Sequence, residues 1–402
     1  NIPRSIRAEY ETQHRRPGEA REGGSSRMTF TSNRDALIEA LVLASKATSP
    51  KQMAILGNVY ITPRKGTVEI LGYNLSTAVF TSVPAAIENP NAACIPGAAV
   101  ASFLEKCSDP AVTVIAEDNK LTIKCGRAKT SFVCADPTEY PQIERLGADA
   151  SSTTINTDEF FMAVKSVLYA CAERSVKPAL QCLNIEISNK KLTITACDGY
   201  RAATIEKDLS ATGKGTFNIF KNDIKTAMAV LSGENLELRY NTKTLEFVGA
   251  DSVCKINLCA DEYPNVRGQI QKSLNGVAQH ITLKTAQLKS ALARVTALPN
   301  QSSDYPLRLD VSESIVLSYN FGTGTYSDEV ECKLDGDPFT VGVKTSFLAD
   351  ALRAAGDNVI MDCSGEKGAI IVNSGNMQQM LMPVRLKNDI YGVFKFKGLR
   401  ST

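Results

Sequence analysis

Only two histidines, His14 and His280, occur among the 402 residues, and this scarcity removes several kinds of chemistry at once. A Ser-His-Asp relay, a zinc centre built on several imidazoles and a histidine general base all need such rings at the site. A cysteine enzyme would need the same base beside its thiol. No apolar run approaches the ~20 residues of a membrane-spanning helix. Charge of one sign is lacking as well: 45 basic residues stand against 43 acidic ones, and with both ends set aside the body is slightly acidic. Such a body does not coat itself in nucleic acid by charge alone, so any basic surface is local. The eleven cysteines are an odd number without a CxxC pair, and most lie in alternating apolar segments, among them Cys125, Cys134, Cys182, Cys197 and Cys259. This pattern predicts buried free thiols in a reducing cytoplasm, with no metal and no cofactor.

What is present is repetition. Residues 134–143 read CADPTEYPQI and residues 259–266 read CADEYPNV. Thr29-Phe30-Thr31, Thr154-Ile155-Asn156 and Ile281-Thr282-Leu283 each precede a helical pattern. A period of about 125 residues is too long for a solenoid unit and suits a whole small domain, so the chain reads as a triplication. The expected boundaries are a disordered leader at 1–27, domains at 28–150, 151–272 and 273–386, and a tail at 387–402. Each repeat runs strand, helix, strands, helix, strands. Leu37, Leu41 and Ala44 mark the first helix of repeat one; Phe160, Val164, Val167 and Cys171 mark that of repeat two; Leu288, Ala291 and Val295 mark that of repeat three. The fold class is α+β, with antiparallel sheets and two helices per domain. Cations on those helices, including Lys221 and Lys225, slightly outnumber the acids and would form a weak phosphate-tracking face if all six helices pointed one way.

The clearest local pattern lies between Ala179 and Ala203. Leu180, Cys182, Leu183, Ile185 and Ile187 alternate up to a polar turn at residues 188–191, and Leu192, Ile194 and Ala196 alternate after it. This predicts a half-buried hairpin. Asp198-Gly199 then breaks the strand and sets Tyr200 and Arg201 outside the sheet.

These segments, with Met28-Thr29-Phe30-Thr31, Ile55-Leu56-Gly57-Asn58, Cys125-Gly126-Arg127, Tyr263-Pro264 and the closing Met382-Pro383-Val384-Arg385-Leu386, resemble the bacterial β sliding clamps over residues 28–386. The resemblance implies a non-enzymatic homodimeric ring of head-to-tail subunits around double-stranded DNA. Its partners would be the replicative polymerase, the clamp loader and other proteins bearing a clamp-binding peptide. By motif position the peptide site maps to Leu180, Cys197, Gly199, Tyr200, Arg201, Pro264, Met380, Leu381, Met382, Pro383, Val384, Arg385 and Leu386. DNA contacts map to Lys51, Arg174, Lys177, Lys221 and Lys225, and the dimer junction to Lys129, Phe132 and Leu298. The chain departs from the family in three places: Cys197 stands where Thr is frequent, in Asn265-Val266-Arg267-Gly268 glycine stands near where the family often has a basic residue, and residues 387–402 run on past the usual end. That tail carries Ile390, Tyr391, Val393, Phe394 and Phe396, an apolar set able to occlude the peptide cleft. A repeat-built scaffold without a nucleic-acid partner is the competing reading.

Overall fold

The computed structural model describes residues 27–299, 306–353 and 355–386. The expectations for the leader and for the tail lie outside these residues, apart from Arg27. Seven helices occur among the described residues: α1 (Arg34–Ser45), α2 (Gly97–Leu104), α3 (Thr157–Val167), α4 (Lys221–Val230), α5 (Val266–Leu274), α6 (Thr285–Thr296) and α7 (Thr345–Leu352). Helix α1 begins at Asn33, whose side-chain oxygen accepts the Ala36 N–H at 3.1 Å, so one orphan donor of the first turn is satisfied. Leu37, Ala40, Leu41 and Ala44 form its buried stripe.

The chain divides into two compact units. The first comprises the described residues up to 161, with 209–213 and 219–260. Its sheet runs from Ala128–Val133 through Lys120–Cys125, Ala111–Glu117 and Met28–Asn33 to Thr77–Pro90. From there it continues through Ser252–Asn257, Thr244–Val248 and Asn235–Tyr240 to Ser151–Asn156. Thr77–Pro90 therefore joins strands of the first and second repeats: Thr81 faces Ser252 and Ala85 faces Ser32. The hydrophobic pattern of repeat one sets strands at Thr67–Tyr73 and Thr77–Val83; the first has those bounds, whereas the second, Thr77–Pro90, continues well past Val83. Gly72 is required by packing, because a Cβ there would lie 1.8 Å from the Ala44 carbonyl oxygen at the end of α1.

The second unit comprises 162–208, 214–218 and the described residues from 261 onward. One sheet orders Cys182–Cys197, Arg201–Phe220, Met377–Leu381, Ile370–Ser374, Asn358–Cys363, Gln279–Lys284 and Lys333–Asp335. Here too the repeats share a sheet, with Arg201 facing Leu381 and Ile205 facing Met377. A four-stranded sheet orders Thr325–Glu331, Ser314–Asn320, Leu307–Val311 and Phe339–Val343. Leu288, Leu292 and Val295 of α6 and Leu348 and Leu352 of α7 bury their stripes in the main core of this unit. The expected hairpin turn at residues 188–191 falls in an exposed stretch of Cys182–Cys197, marked by a positive φ of 56° at Asn189.

Helix α5 was not expected from the sequence. Asn265 caps it, its side-chain oxygen accepting the Gly268 N–H at 2.9 Å, and Val266 and Ile270 are its buried residues.

Candidate binding site and charged faces

The site in the second unit starts from a turn. Asp198 Oδ1 accepts the N–H groups of both Tyr200 and Arg201 at 2.9 Å, closing an Asx turn around Gly199. Gly199 sits at φ +93°, a left-handed conformation that other residues rarely adopt. The next strand meets this turn directly, since the Met382 N–H donates to the Tyr200 carbonyl at 2.9 Å. Tyr200 is left 70% exposed and Met382 41% exposed. Both are large apolar groups in water, against the usual tendency of such side chains.

Two residues along each strand, Ala202 and Met380 enter a small apolar cluster. Cys197, Ala202, Val266, Ile270, Ala369 and Ile371 are buried together, with Leu180, Tyr263, Leu274 and Met380 partly buried against them. Tyr263 fixes one side through its hydroxyl, 3.4 Å from the Cys182 and Thr195 carbonyl oxygens. Burial pushes the Cys197 thiol above its ordinary range, while the Gly199 N–H, donating to its sulfur at 3.3 Å, opposes that shift. Cys197 is thus a neutral part of the floor. Pro264 is exposed, and Arg267 pairs with Glu206 at 3.1 Å and Glu186 at 3.4 Å.

Arg201 is not free to bind a ligand as the sequence suggested. Its Nε donates to Asp198 Oδ2 at 3.0 Å, one terminal nitrogen to Asp350 Oδ2 at 2.6 Å and the other to the Tyr169 carbonyl at 2.8 Å. The guanidinium lies 4.2 Å from the ring centre of Phe347 and 5.1 Å from that of Tyr169. The side chain is 12% exposed, so the planar fork is consumed by internal partners. Its position is itself supported: the Tyr169 hydroxyl donates to the Gln379 side chain, and Gln379 Nε2 donates to the Ala351 carbonyl at 2.7 Å. Tyr169, Phe347, Asp350 and Gln379 escaped sequence reasoning, and no local signal would have found them.

The other expected site residues divide. Leu381 is buried in the main core of the unit and offers no surface to a ligand. The chain then runs beside Phe339–Val343: the Val384 N–H donates to the Gly342 carbonyl at 2.8 Å, and a Cβ on Gly342 would collide with the Val384 oxygen and Leu386. Pro383, Val384 and Leu386 are half-buried there, and Arg385 is exposed. Lys51, Arg174, Lys177 and Lys225 are exposed. Lys221 is only 9% exposed, because the first turn of α4 is buried, and it presents almost no charge to solvent. Other helix cations are engaged by the protein itself: Arg294 pairs with Asp328, Arg353 with Asp350 and Arg34 with Asp35. Lys129 is exposed and Phe132 half-buried, while Leu298 packs against the core of the second unit.

Antiparallel sheets that cross the repeats, and an apolar surface standing on a rigid polar base, define a repeat-built binding protein of the clamp fold. Three successive family profiles match: the DNA polymerase III beta subunit N-terminal domain at residues 28–144, the central domain at 154–265 and the C-terminal domain at 275–385. The beta sliding clamp of Streptomyces coelicolor is 22% identical over 345 residues, covering 81% of this chain and 88% of that protein. That of Micrococcus luteus is 25% identical, covering 77% of this chain and 100% of its own length. Among solved structures, the DNA polymerase III beta subunit of Thermotoga maritima superposes with a TM-score of 0.81 at 20% identity, covering 90% of this chain and 100% of its own. The sliding clamp of Bacillus subtilis gives 0.83 at 19% identity, with the same coverage. The chain belongs to the DNA polymerase III beta subunit family and carries its sliding-clamp fold.

Proposed function

We propose that this chain is a DNA sliding clamp that closes head to tail with a second copy around duplex DNA. It stays on DNA by topology and tethers the replicative polymerase and other clients through short apolar peptides seated beside Tyr200 and Met382. It performs no chemistry of its own, and it works in the cytoplasm. The three domains fall at residues 28–150, 151–272 and 273–386. Lys51, Arg174, Lys177 and Lys225 are the phosphate contacts of this reading, weak and blind to sequence; Lys221 is set aside because it is buried.

The observation that carries the ring is a pair of open sheet edges of opposite charge. Ala128–Val133 ends the strand path of the first unit, and Lys120, Lys124, Arg127 and Lys129 are exposed on its hairpin. Its last residue, Val133, is 79% exposed. Thr325–Glu331 ends the four-stranded sheet of the second unit and carries Asp328, Glu329 and Glu331. Among the described residues each edge leaves a row of backbone N–H and C=O groups without a strand beside it, which invites another strand. Pairing one edge with the other in a second copy, twice over, closes a dimer and leaves neither open.

Sedimentation at micromolar protein tests this. The expected species is a dimer that Lys124→Glu with Lys129→Glu dissociates and that adding Glu329→Lys with Glu331→Lys restores. A monomer at all concentrations, indifferent to these changes, overturns it. Leu298→Asp is a poor probe of the junction, because that side chain also packs against the core.

A further inference from the structure

We infer that the peptide site beside Tyr200 and Met382 selects clients that carry a carboxylate, received by Lys344 at one edge of the apolar surface. This rests on the reading of that surface as a client site and adds the charge of the partner. Lys344 lies between strand Phe339–Val343 and α7, and its carbonyl accepts the Phe347 and Leu348 N–H groups at 2.9 and 3.2 Å. The ammonium stands 4.6 Å from the ring centre of Phe347, and the Arg201 guanidinium stands 4.2 Å from the same centre. One ring thus links Lys344 to the residue that follows Tyr200.

The two cations on this ring differ in what balances them. Arg201 is matched by Asp198 at 3.0 Å and Asp350 at 2.6 Å, and Asp350 also holds Arg353 at 2.8 Å. Lys344 is half-buried against the ring and pairs with no carboxylate among the described residues. Arg385 is a second such cation: it is exposed and without an ion pair among the described residues. The bond from the Val384 N–H to the Gly342 carbonyl brings Arg385 beside the strand that leads into Lys344. A cation–π contact leaves the N–H donors of an ammonium available, so a carboxylate can join it without displacing an internal partner. Partial exclusion of water makes such a bond stronger than on an open surface. The Arg201 fork, by contrast, would first have to give up Asp198 or Asp350.

The test titrates the full chain with an apolar client peptide of the replicative polymerase. One Glu, or one Gln in its place, is moved along the positions flanking the apolar residues. Each peptide is made with a free and with an amidated C-terminus, which separates a side-chain carboxylate from a terminal one. The expected result is a position, internal or terminal, at which the carboxylate form binds about five- to tenfold more tightly at low salt. Added salt should shrink that preference. Lys344→Gln should abolish it, Lys344→Glu should turn it into a preference for a Lys-bearing peptide, and Arg385→Gln should weaken it by less. Equal affinity for acidic and neutral peptides at every position overturns the inference and leaves the reading of the site intact. So does a preference that survives both changes at Lys344. A chain that binds none of the peptides overturns that reading, and the inference with it.

Discussion

Two arginine–carboxylate clusters use the same chemistry for opposite ends. In the first unit Glu246 is 0% exposed, accepts the Leu146 N–H at 2.7 Å and lies 3.2 Å from Arg145 and 3.8 Å from Arg239. Arg239 also donates to the Gly147 carbonyl at 2.6 Å. These bonds fasten the segment around residues 145–147 onto strands Asn235–Tyr240 and Thr244–Val248, with Arg145 left 29% exposed. In the second unit the cluster around Arg201 is almost as well shielded, yet the residue beside it is Tyr200, an exposed ring. A buried ion pair is costly to make and costlier to break, so it serves where one geometry must be held. The first cluster holds a connection; the second holds a surface.

Breaking the first should have the largest effect. Glu246→Ala strands two arginines near a buried position and should cost about 3–5 kcal/mol in chemical denaturation. Affinity for an apolar clamp-binding peptide, measured on the folded fraction, should stay unchanged.

Arg201→Ala should cost less, about 2–3 kcal/mol, because its partners retain some solvent. It should also weaken peptide binding, since the Asp198 turn that carries Tyr200 loses its anchor. Arg201→Lys keeps the charge but not the fork, and should recover only part of both. Calorimetric titration beside denaturation separates the two losses, and a stability change with intact affinity would break the comparison.

Tyr200→Ala isolates the surface. Stability should move by less than about 0.5 kcal/mol, as for an exposed side chain without structural partners. Peptide affinity should fall by about 1–2 kcal/mol, roughly tenfold, as for an aromatic anchor.

The smallest effect comes from a third carboxylate. Asp223 of α4 is buried beside the Ser76 hydroxyl in place of arginines. Burial raises its pKa from the ordinary 3.8, against the Ser76 hydrogen bond that lowers it. The folded state therefore binds this proton more tightly than the unfolded chain. The resulting stability is fully present below the unfolded value and is lost as pH rises through the raised one. Asp223→Asn should remove that pH dependence and leave the protein slightly more stable at neutral pH; thermal unfolding from pH 4 to 7 checks it.

The strand alternation and helix stripes were legible because period and burial coincide, as at Thr67–Tyr73 and in α1. The alternation pattern ended that strand at Val83, yet Thr77–Pro90 continues through Pro84. Helix α5 was hidden by its shortness, with Gly268, Gln269, Gln271 and Lys272 leaving only Val266 and Ile270 as a stripe. The exposure of Tyr200 followed from the Asp198-Gly199 break before it. The fixing of Arg201 did not, because its partners Tyr169, Phe347 and Asp350 come from distant parts of the chain. Spacing carries no trace of such contacts. Burial of Lys221 was missed for the same reason: a charged helix start reads as solvated unless tertiary packing is known.

Retention on DNA tests the central claim most directly. The full chain, loaded onto nicked circular duplex by a clamp loader with ATP and then separated from free protein, should remain bound to the circle. It should leave when a single cut makes the DNA linear. The combined change of Lys51, Arg174, Lys177 and Lys225 to Ala should reduce loading without altering that dependence on topology. Equal retention on circular and linear DNA would mean that contact, rather than encirclement, holds the protein there, and would contradict the account.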